Sequence, residues 1–158
     1  MTQLSAVDLA TGSLTIQQPP VVVGSDLTRT RFAASPLGVE RRGLHEAAPW
    51  SLCRIPAALV GGEPFSVTLC FHEERLDYIS LTSGRPEFGV GLAELSTEQE
   101  QARQRWHNDW LHRHLAGQPG TLSQGPDAPT WAWYFSWGRI VSGWDVKNGT
   151  AHIVIRYG

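Results

Sequence analysis

The sequence predicts a single α+β domain over residues 1–158, in which an antiparallel sheet is packed by one long and one short helix. The length of 158 residues is typical of one domain, and 41% hydrophobic with 18% charged residues is an ordinary globular composition. Short apolar segments with hairpin-length connections occur in the middle and at the end of the chain. A long segment with helical periodicity lies between them. This separation of strands and helices along the chain favours the α+β class.

The N-terminal third is predicted to contain a short strand and the short helix. Residues 13–17 form an apolar, strand-like segment. Ser25 is a suitable N-cap for a helix that runs to about Ala34. Pro36 would end this helix, because the residue before a proline avoids helical backbone angles. Residues 36–49 are punctuated by proline and glycine and are predicted to form a loop.

A three-strand meander is predicted for residues 50–58, 64–71 and 75–82. The connections between these segments are short enough for hairpins. In the middle segment every second residue is apolar, which is the pattern of a strand with one buried face. That face would be formed by Phe65, Val67, Leu69 and Phe71. We therefore expect a helix to cover this side of the sheet.

The long helix is predicted for residues 97–116. Ser96 would be its N-cap, and Gln99 lies three residues further on, as in a capping box. Apolar residues recur at helical spacing on one side, which we expect to face the sheet. They are Ala102, Trp106, Trp110, Leu111 and Leu115.

A C-terminal hairpin is predicted to complete the sheet. Residues 131–144 and 150–157 would be its two arms, joined by a turn from Asp145 to Gly149. Apolar and polar residues alternate in the second arm, which indicates one buried face. The predicted sheet therefore consists of the three-strand meander plus this hairpin.

The sequence shows no motif typical of an enzyme, a metal site or a cofactor site. It lacks a Gly-x-Ser-x-Gly nucleophile motif, a Walker-type phosphate loop and a strand–Gly-x-Gly-x-x-Gly–helix unit. His107, His112 and His114 lie in the long helix, but none is three or four residues from another, as a shared zinc ion would require. We interpret them as polar-face histidines and expect no enzymatic activity, no metal and no cofactor.

Cys53 and Cys70 each lie in an apolar, strand-like segment. Such positions favour buried free thiols that act as small hydrophobic side chains. A disulfide would require the two strands to be neighbours with suitable geometry, which the sequence leaves open.

The net charge of −2 indicates no general basic surface, so we expect no nucleic-acid partner. The first residues lack the basic start and apolar stretch of a secretory signal, and no apolar run reaches membrane-spanning length. We therefore expect a cytoplasmic protein without a membrane partner.

Seven tryptophans are many for a chain of 158 residues. The aromatic residues that would share one face of a regular C-terminal strand are Trp131, Trp133, Phe135 and Trp137. If another element covers them, they belong to the core. If they are uncovered, they form a groove for a small ligand or a peptide against the long helix. A nucleic-acid platform would need more basic residues than the nearby Arg139 and Arg156.

Residues 86–100 contain four acidic residues and no basic one. This segment is either a solvated edge or a docking surface for a basic protein partner. Its acidic residues are Glu87, Glu94, Glu98 and Glu100. A second candidate surface for a partner contains Arg41, Arg42 and Trp50, since arginine and tryptophan are frequent interface anchors.

The C-terminal segments 136–140, 142–149 and 153–157 read S-W-G-R-I, S-G-W-D-V-K-N-G and I-V-I-R-Y. In this respect the chain resembles a family of small bacterial proteins with a WG-x-I-x-S…D-x-K-x-G…I-x-I-R-Y tail. Gly143-Trp144 departs from that family, which often has an aromatic pair there. Some members accompany secreted or contact-delivered toxins as immunity proteins.

The resemblance implies an immunity-type protein that binds and neutralises a cognate bacterial toxin. Such a function needs no catalytic residues, which agrees with the lack of catalytic motifs. The alternative is a protein that binds a small ligand or a peptide in a tryptophan-rich groove.

Overall fold

Strands make up most of the regular structure in the computed structural model, and the fold class is α+β, as predicted. The structure describes residues 5–18, 20–39, 45–89, 96–115, 117–124, 129–145, 147 and 149–158. The strands are β1 (Leu14–Ile16), β2 (Val21–Val23), β3 (His45–Ala47), β4 (Trp50–Val60), β5 (Glu63–His72), β6 (Arg75–Ser83), β7 (Thr121–Gln124), β8 (Pro129–Phe135), β9 (Gly138–Asp145) and β10 (Thr150–Tyr157). The helices are α1 (Arg29–Ala34), α2 (Pro36–Val39) and α3 (Thr97–His114), with a 3₁₀ turn at Pro86–Phe88.

The sheet is larger than the predicted meander plus hairpin. Eight strands form one antiparallel sheet in the order β3-β4-β5-β6-β10-β9-β8-β7, and β1 pairs with β2 separately. The last strand, β10, pairs with β6 and thereby joins the C-terminal strands to the central ones. The strands that the prediction lacked are β3, which lies in the predicted loop 36–49, β7, which precedes the predicted hairpin, and the additional strand formed when the arm 131–144 divides.

The predicted hairpin arm 131–144 is itself a hairpin. A turn at Ser136 and Trp137 divides it into β8 and β9, so Trp137 does not lie on a strand. The turn ends at Gly138, whose φ of 153° is rarely adopted by residues with a side chain. A Cβ at this position would overlap the carbonyl oxygen of Arg156 on the neighbouring strand.

Three N-terminal predictions need correction. The short helix begins at Arg29 rather than after Ser25, because the Thr28 side chain accepts a hydrogen bond from the Arg31 N–H (3.1 Å) and caps it. Strand β2 was not predicted. The predicted loop 36–49 contains α2 and β3, although its proline does follow the end of α1 as expected.

Helix α3 begins as predicted: the Ser96 hydroxyl accepts a hydrogen bond from the Gln99 N–H at 3.1 Å. Its buried side, however, is only partly apolar, and Trp106 is half-buried. The buried residues within the helix are Glu100, Arg103, Gln104, His107, Trp110 and Leu111. Tertiary contacts therefore hold polar groups in the interface between this helix and the sheet.

The large sheet has two different faces. Helix α1 contacts one of them through Phe32 and Phe71, whose ring centroids are 5.8 Å apart. Helix α3 contacts the same face through Trp110 and Phe65 at 5.0 Å. A row of buried residues crosses this core face on six adjacent strands: Cys53, Leu69, Ile79, Ile155, Ile140 and Trp133.

Successive side chains on a strand point to opposite faces of the sheet. The residues adjacent to the buried row therefore form a row on the opposite side, which we call the open face. This row consists of Leu52, Cys70, Tyr78, Arg156, Arg139 and Tyr134. Except for Cys70, these residues are half-buried or exposed. The helices thus cover one side of the sheet and leave charged and aromatic side chains on the other.

Candidate functional site

The four glutamates predicted as an acidic docking surface do not form one unit. Glu87 and Glu98 are exposed, and Glu87 is ion-paired with Arg85. Glu94 lies outside the described residues. Glu100 is only 1% exposed, so the prediction that it lies on a partner-binding rim is wrong for the folded chain.

Glu100 instead forms a buried ion pair with Arg103, one turn further along α3. Nη1 of Arg103 lies 2.6 Å from each carboxylate oxygen, and the Ala151 N–H of β10 donates to the same carboxylate at 3.1 Å. Nη2 of Arg103 donates to the Phe88 carbonyl at 2.9 Å. The pair therefore connects the helix, a central strand and the 3₁₀ turn, which is a structural role.

His107 is also buried, contrary to the prediction that it lies on the polar face of the helix. Its ring is 0% exposed, and its Nε2 accepts a hydrogen bond from the Ser83 N–H of β6 at 3.0 Å. Burial, with a smaller contribution from Arg103, lowers the pKa of His107 to about 3. The imidazole is consequently neutral near pH 7 and acts as a hydrogen-bond acceptor for a strand end.

The C-terminal tryptophans belong to the core, which was one of the two open interpretations. Trp133 is buried, and its ring lies 5.9 Å from Trp131 and 5.2 Å from His112 of α3. Trp137 stacks on Phe135 at 4.8 Å and donates a hydrogen bond to a backbone carbonyl of the N-terminal segment. Trp131, Phe135 and Trp137 are half-buried and pack against this core.

Trp50 is a predicted partner-binding residue that lies on the surface. All seven tryptophans are described, and Trp50 is the only exposed one, at 42%. Its ring packs edge-on against His72 of the neighbouring strand, with centroids 4.6 Å apart. Because it begins the long strand β4, its backbone is held by pairing on both sides.

A pocket of about 610 Å³ lies beside Trp50, at the corner where α1, β3, β4 and the β5–β6 turn meet. Its lining consists of Arg29, Glu46, Ala48, Pro49, Trp50, Ser51, Glu73 and Glu74. The sequence prediction missed all of these except Trp50. No local signal could have identified them, because they come from segments that meet only in the folded chain.

The charged groups of this pocket are held in place by specific contacts. Arg29 forms an ion pair with Glu46. Glu74 accepts hydrogen bonds from the Thr30 N–H (3.0 Å) and hydroxyl (2.8 Å), which lower its pKa. The Glu73 N–H donates to the Pro49 carbonyl at 2.8 Å. The pocket therefore combines one aromatic ring with ordered charges of both signs. Arg41 and Arg42, which were predicted on the same surface, lie outside the described residues.

Cys53 and Cys70 are buried, as predicted, and no disulfide joins them. They lie on neighbouring strands but belong to rows on opposite faces of the sheet. Burial raises the pKa of the Cys70 thiol, and Tyr78 next to it has a pKa raised to about 12 for the same reason. A thiol with a raised pKa, such as that of Cys70, is a poor nucleophile at neutral pH.

Within the described ranges, no three side chains of histidine, cysteine, aspartate or glutamate are grouped so that they could hold a metal ion. None of the helices in this part of the chain combines the length and apolar character that a membrane crossing needs. Comparison with protein-family models, with curated proteins and with solved structures found no match to this chain.

Proposed function

We propose that this protein is an immunity-type protein that binds a cognate bacterial protein toxin in the cytoplasm of the producing cell and neutralises it. The chain resembles a family of small bacterial proteins in which some members have this role. Binding alone would suffice for such a function, provided that the protein presents a rigid surface complementary to its partner.

The observation that carries the proposal is the exposure of Trp50 on a rigid strand among ordered charges. Tryptophan is among the residue types most enriched at energetic centres of interfaces, where surrounding contacts exclude water. Here the other six tryptophans are buried or half-buried, whereas Trp50 stays 42% exposed. The ion pair of Arg29 with Glu46 and the hydrogen-bonded Glu74 provide a polar rim beside it.

The test uses a neighbouring gene product as the toxin, chosen because it stops growth when it is expressed alone. Co-expression of the present protein should restore growth, and the two purified proteins should form a stoichiometric complex. Trp50→Ala should weaken the complex by about tenfold or more, since anchors of this type dominate binding energy. Leu122→Ala is the matched control, because Leu122 is similarly exposed (43%) but lies on the edge strand β7.

Two results would contradict parts of the proposal: the first contradicts the function, and the second contradicts the role of Trp50. One is that no neighbouring gene product is toxic, or that the toxin acts equally with and without this protein. The other is that Trp50→Ala and Leu122→Ala bind the toxin as tightly as the unaltered protein, in which case Trp50 is not the anchor.

A further inference from the structure

Two arginines lie directly opposite each other on the open face of the sheet. Arg156 of β10 pairs in register with Arg139 of β9, and both side chains lie on the face that the helices leave uncovered. Tyrosines flank them on the next strands, Tyr78 on one side and Tyr134 on the other. Directly opposed side chains in an antiparallel pair are close neighbours, so two like charges there repel each other and destabilise the sheet.

The charge of these arginines is only partly balanced within the chain. Arg156 has an ion pair with Asp77 (3.4 Å) and lies over the Tyr78 ring, 4.9 Å from its centroid. Arg139 is exposed and has no carboxylate within ion-pair distance among the described residues. Arg139 and Arg156 therefore form a local positive patch, although the net charge of the protein is −2.

A third arginine extends the same surface. Arg54 of β4 is exposed, and its Nε donates a hydrogen bond to the Ser66 hydroxyl at 3.3 Å. Trp50 lies four residues before it, and residues an even number apart on a strand share one face. The open face therefore continues from the Trp50 end, across the arginines, to Tyr134, which is 67% exposed.

We propose that the open face docks on an acidic surface of the partner protein, with Arg139 and Arg156 receiving its carboxylates. This inference rests on the proposed function, since the partner is the cognate toxin. A partner carboxylate placed between the two guanidinium groups would relieve their repulsion and would form charge-assisted hydrogen bonds. The tyrosines on either side supply the aromatic contact area that interfaces favour.

The dimensions agree with one protein partner. From β4 to β8 there are five strand spacings, which amount to about 24 Å at roughly 4.8 Å each. A standard interface of about 800 Å² on each partner has a comparable width. A nucleic acid fits less well, because the side chains around the arginines include Thr68, Val141 and Val154, not a continuous basic track.

The test measures the affinity of the purified protein for the toxin encoded beside it, by titration calorimetry at two salt concentrations. Arg139→Glu should weaken binding by about tenfold, since it turns an interfacial attraction into repulsion. Arg105→Glu is the matched control: it makes the same change in net charge at an exposed position on α3, which packs against the other face. This control should change affinity by no more than about twofold.

The melting temperature of each variant shows whether it folds. Arg139→Glu should not lower it, because the new glutamate lies opposite Arg156 and attracts it. Arg139→Gln provides a second variant that removes the charge without reversing it and should give a smaller loss of affinity. Raising the salt concentration should weaken binding of the unaltered protein more than binding of the Arg139 variants.

Each alternative outcome is distinguishable. If the toxin binds and is neutralised but Arg139→Glu and Arg105→Glu have equal effects, the open face is not the docking surface, although the proposed function stands. If the unaltered protein does not bind the toxin, the proposed function and this inference both fail. Arg139-dependent binding of a single-stranded 20-mer oligonucleotide, with no such dependence for the toxin, would overturn the acidic-protein partner in favour of a nucleic acid.

Discussion

The buried ion pair of helix α3 allows a quantitative prediction for Glu100→Gln. The carboxylate of Glu100 and the guanidinium of Arg103 are 1% and 7% exposed. Glutamine has nearly the same size and can still accept the hydrogen bond from the Ala151 N–H. It removes the negative charge, however, and leaves the buried guanidinium without a counter-ion, with neutral acceptors such as the Phe88 and Gly89 carbonyls.

Breaking a buried ion pair by removing one partner costs about 3–5 kcal/mol. Because glutamine preserves packing and one hydrogen bond, we expect a loss near the lower end, about 3 kcal/mol. This is a large part of the total for a domain of this size, which is typically about 5–15 kcal/mol. Unlike a surface charge, this pair should therefore determine how much denaturant the fold withstands.

The assay is urea unfolding at equilibrium, followed by tryptophan fluorescence. Glu100→Gln should lower the urea midpoint without a change in slope, since both states keep their compactness. The control is Glu98→Gln, which removes the same charge from the same helical turn at an exposed position. Its only expected effect is a weaker interaction with the helix dipole, about 0.5 kcal/mol. If both variants lose equally little stability, then the Glu100 carboxylate is solvated and our reasoning about the buried pair is wrong.

Two further predictions concern stability. The pKa of His107 is about 3 in the folded protein and close to its ordinary 6.5 after unfolding. Between these values unfolding takes up a proton. His107 should therefore lower the free energy of unfolding by about 1.4 kcal/mol for each unit that the pH falls below 6.5. The difference in stability between the unaltered protein and His107→Gln should therefore shrink as the pH is lowered from 6.5 to 4.5, and parallel curves would contradict the buried, neutral histidine. Gly138→Ala should destabilise the protein by about 2 kcal/mol or more, because alanine is strained at this φ and its Cβ meets the Arg156 carbonyl. Gly143→Ala, whose Cβ would make ordinary contacts of 3.5 Å or more, is the control, and equal losses for both variants by thermal unfolding would refute the steric argument.

Local sequence patterns predicted some residues of the candidate site correctly and others incorrectly. Trp50 was predicted because tryptophan is a frequent interface anchor. Glu100 was predicted on the acidic surface because residues 86–100 contain four acidic residues and no basic one. Its burial depends on Ala151, which lies 51 residues away in the sequence and donates to it from β10. A local pattern contains no information about such a contact.

The sequence by itself determined the α+β class, the capped start of α3 and the alternating strand β5. Each of these follows from spacing or capping within a few residues. Only the tertiary structure decided that β10 pairs with β6, that His107 and Glu100 are buried, and that Arg139 lies opposite Arg156. The physical reason is that strand register and the burial of polar groups depend on partners from distant segments, whose combined contacts outweigh local preference.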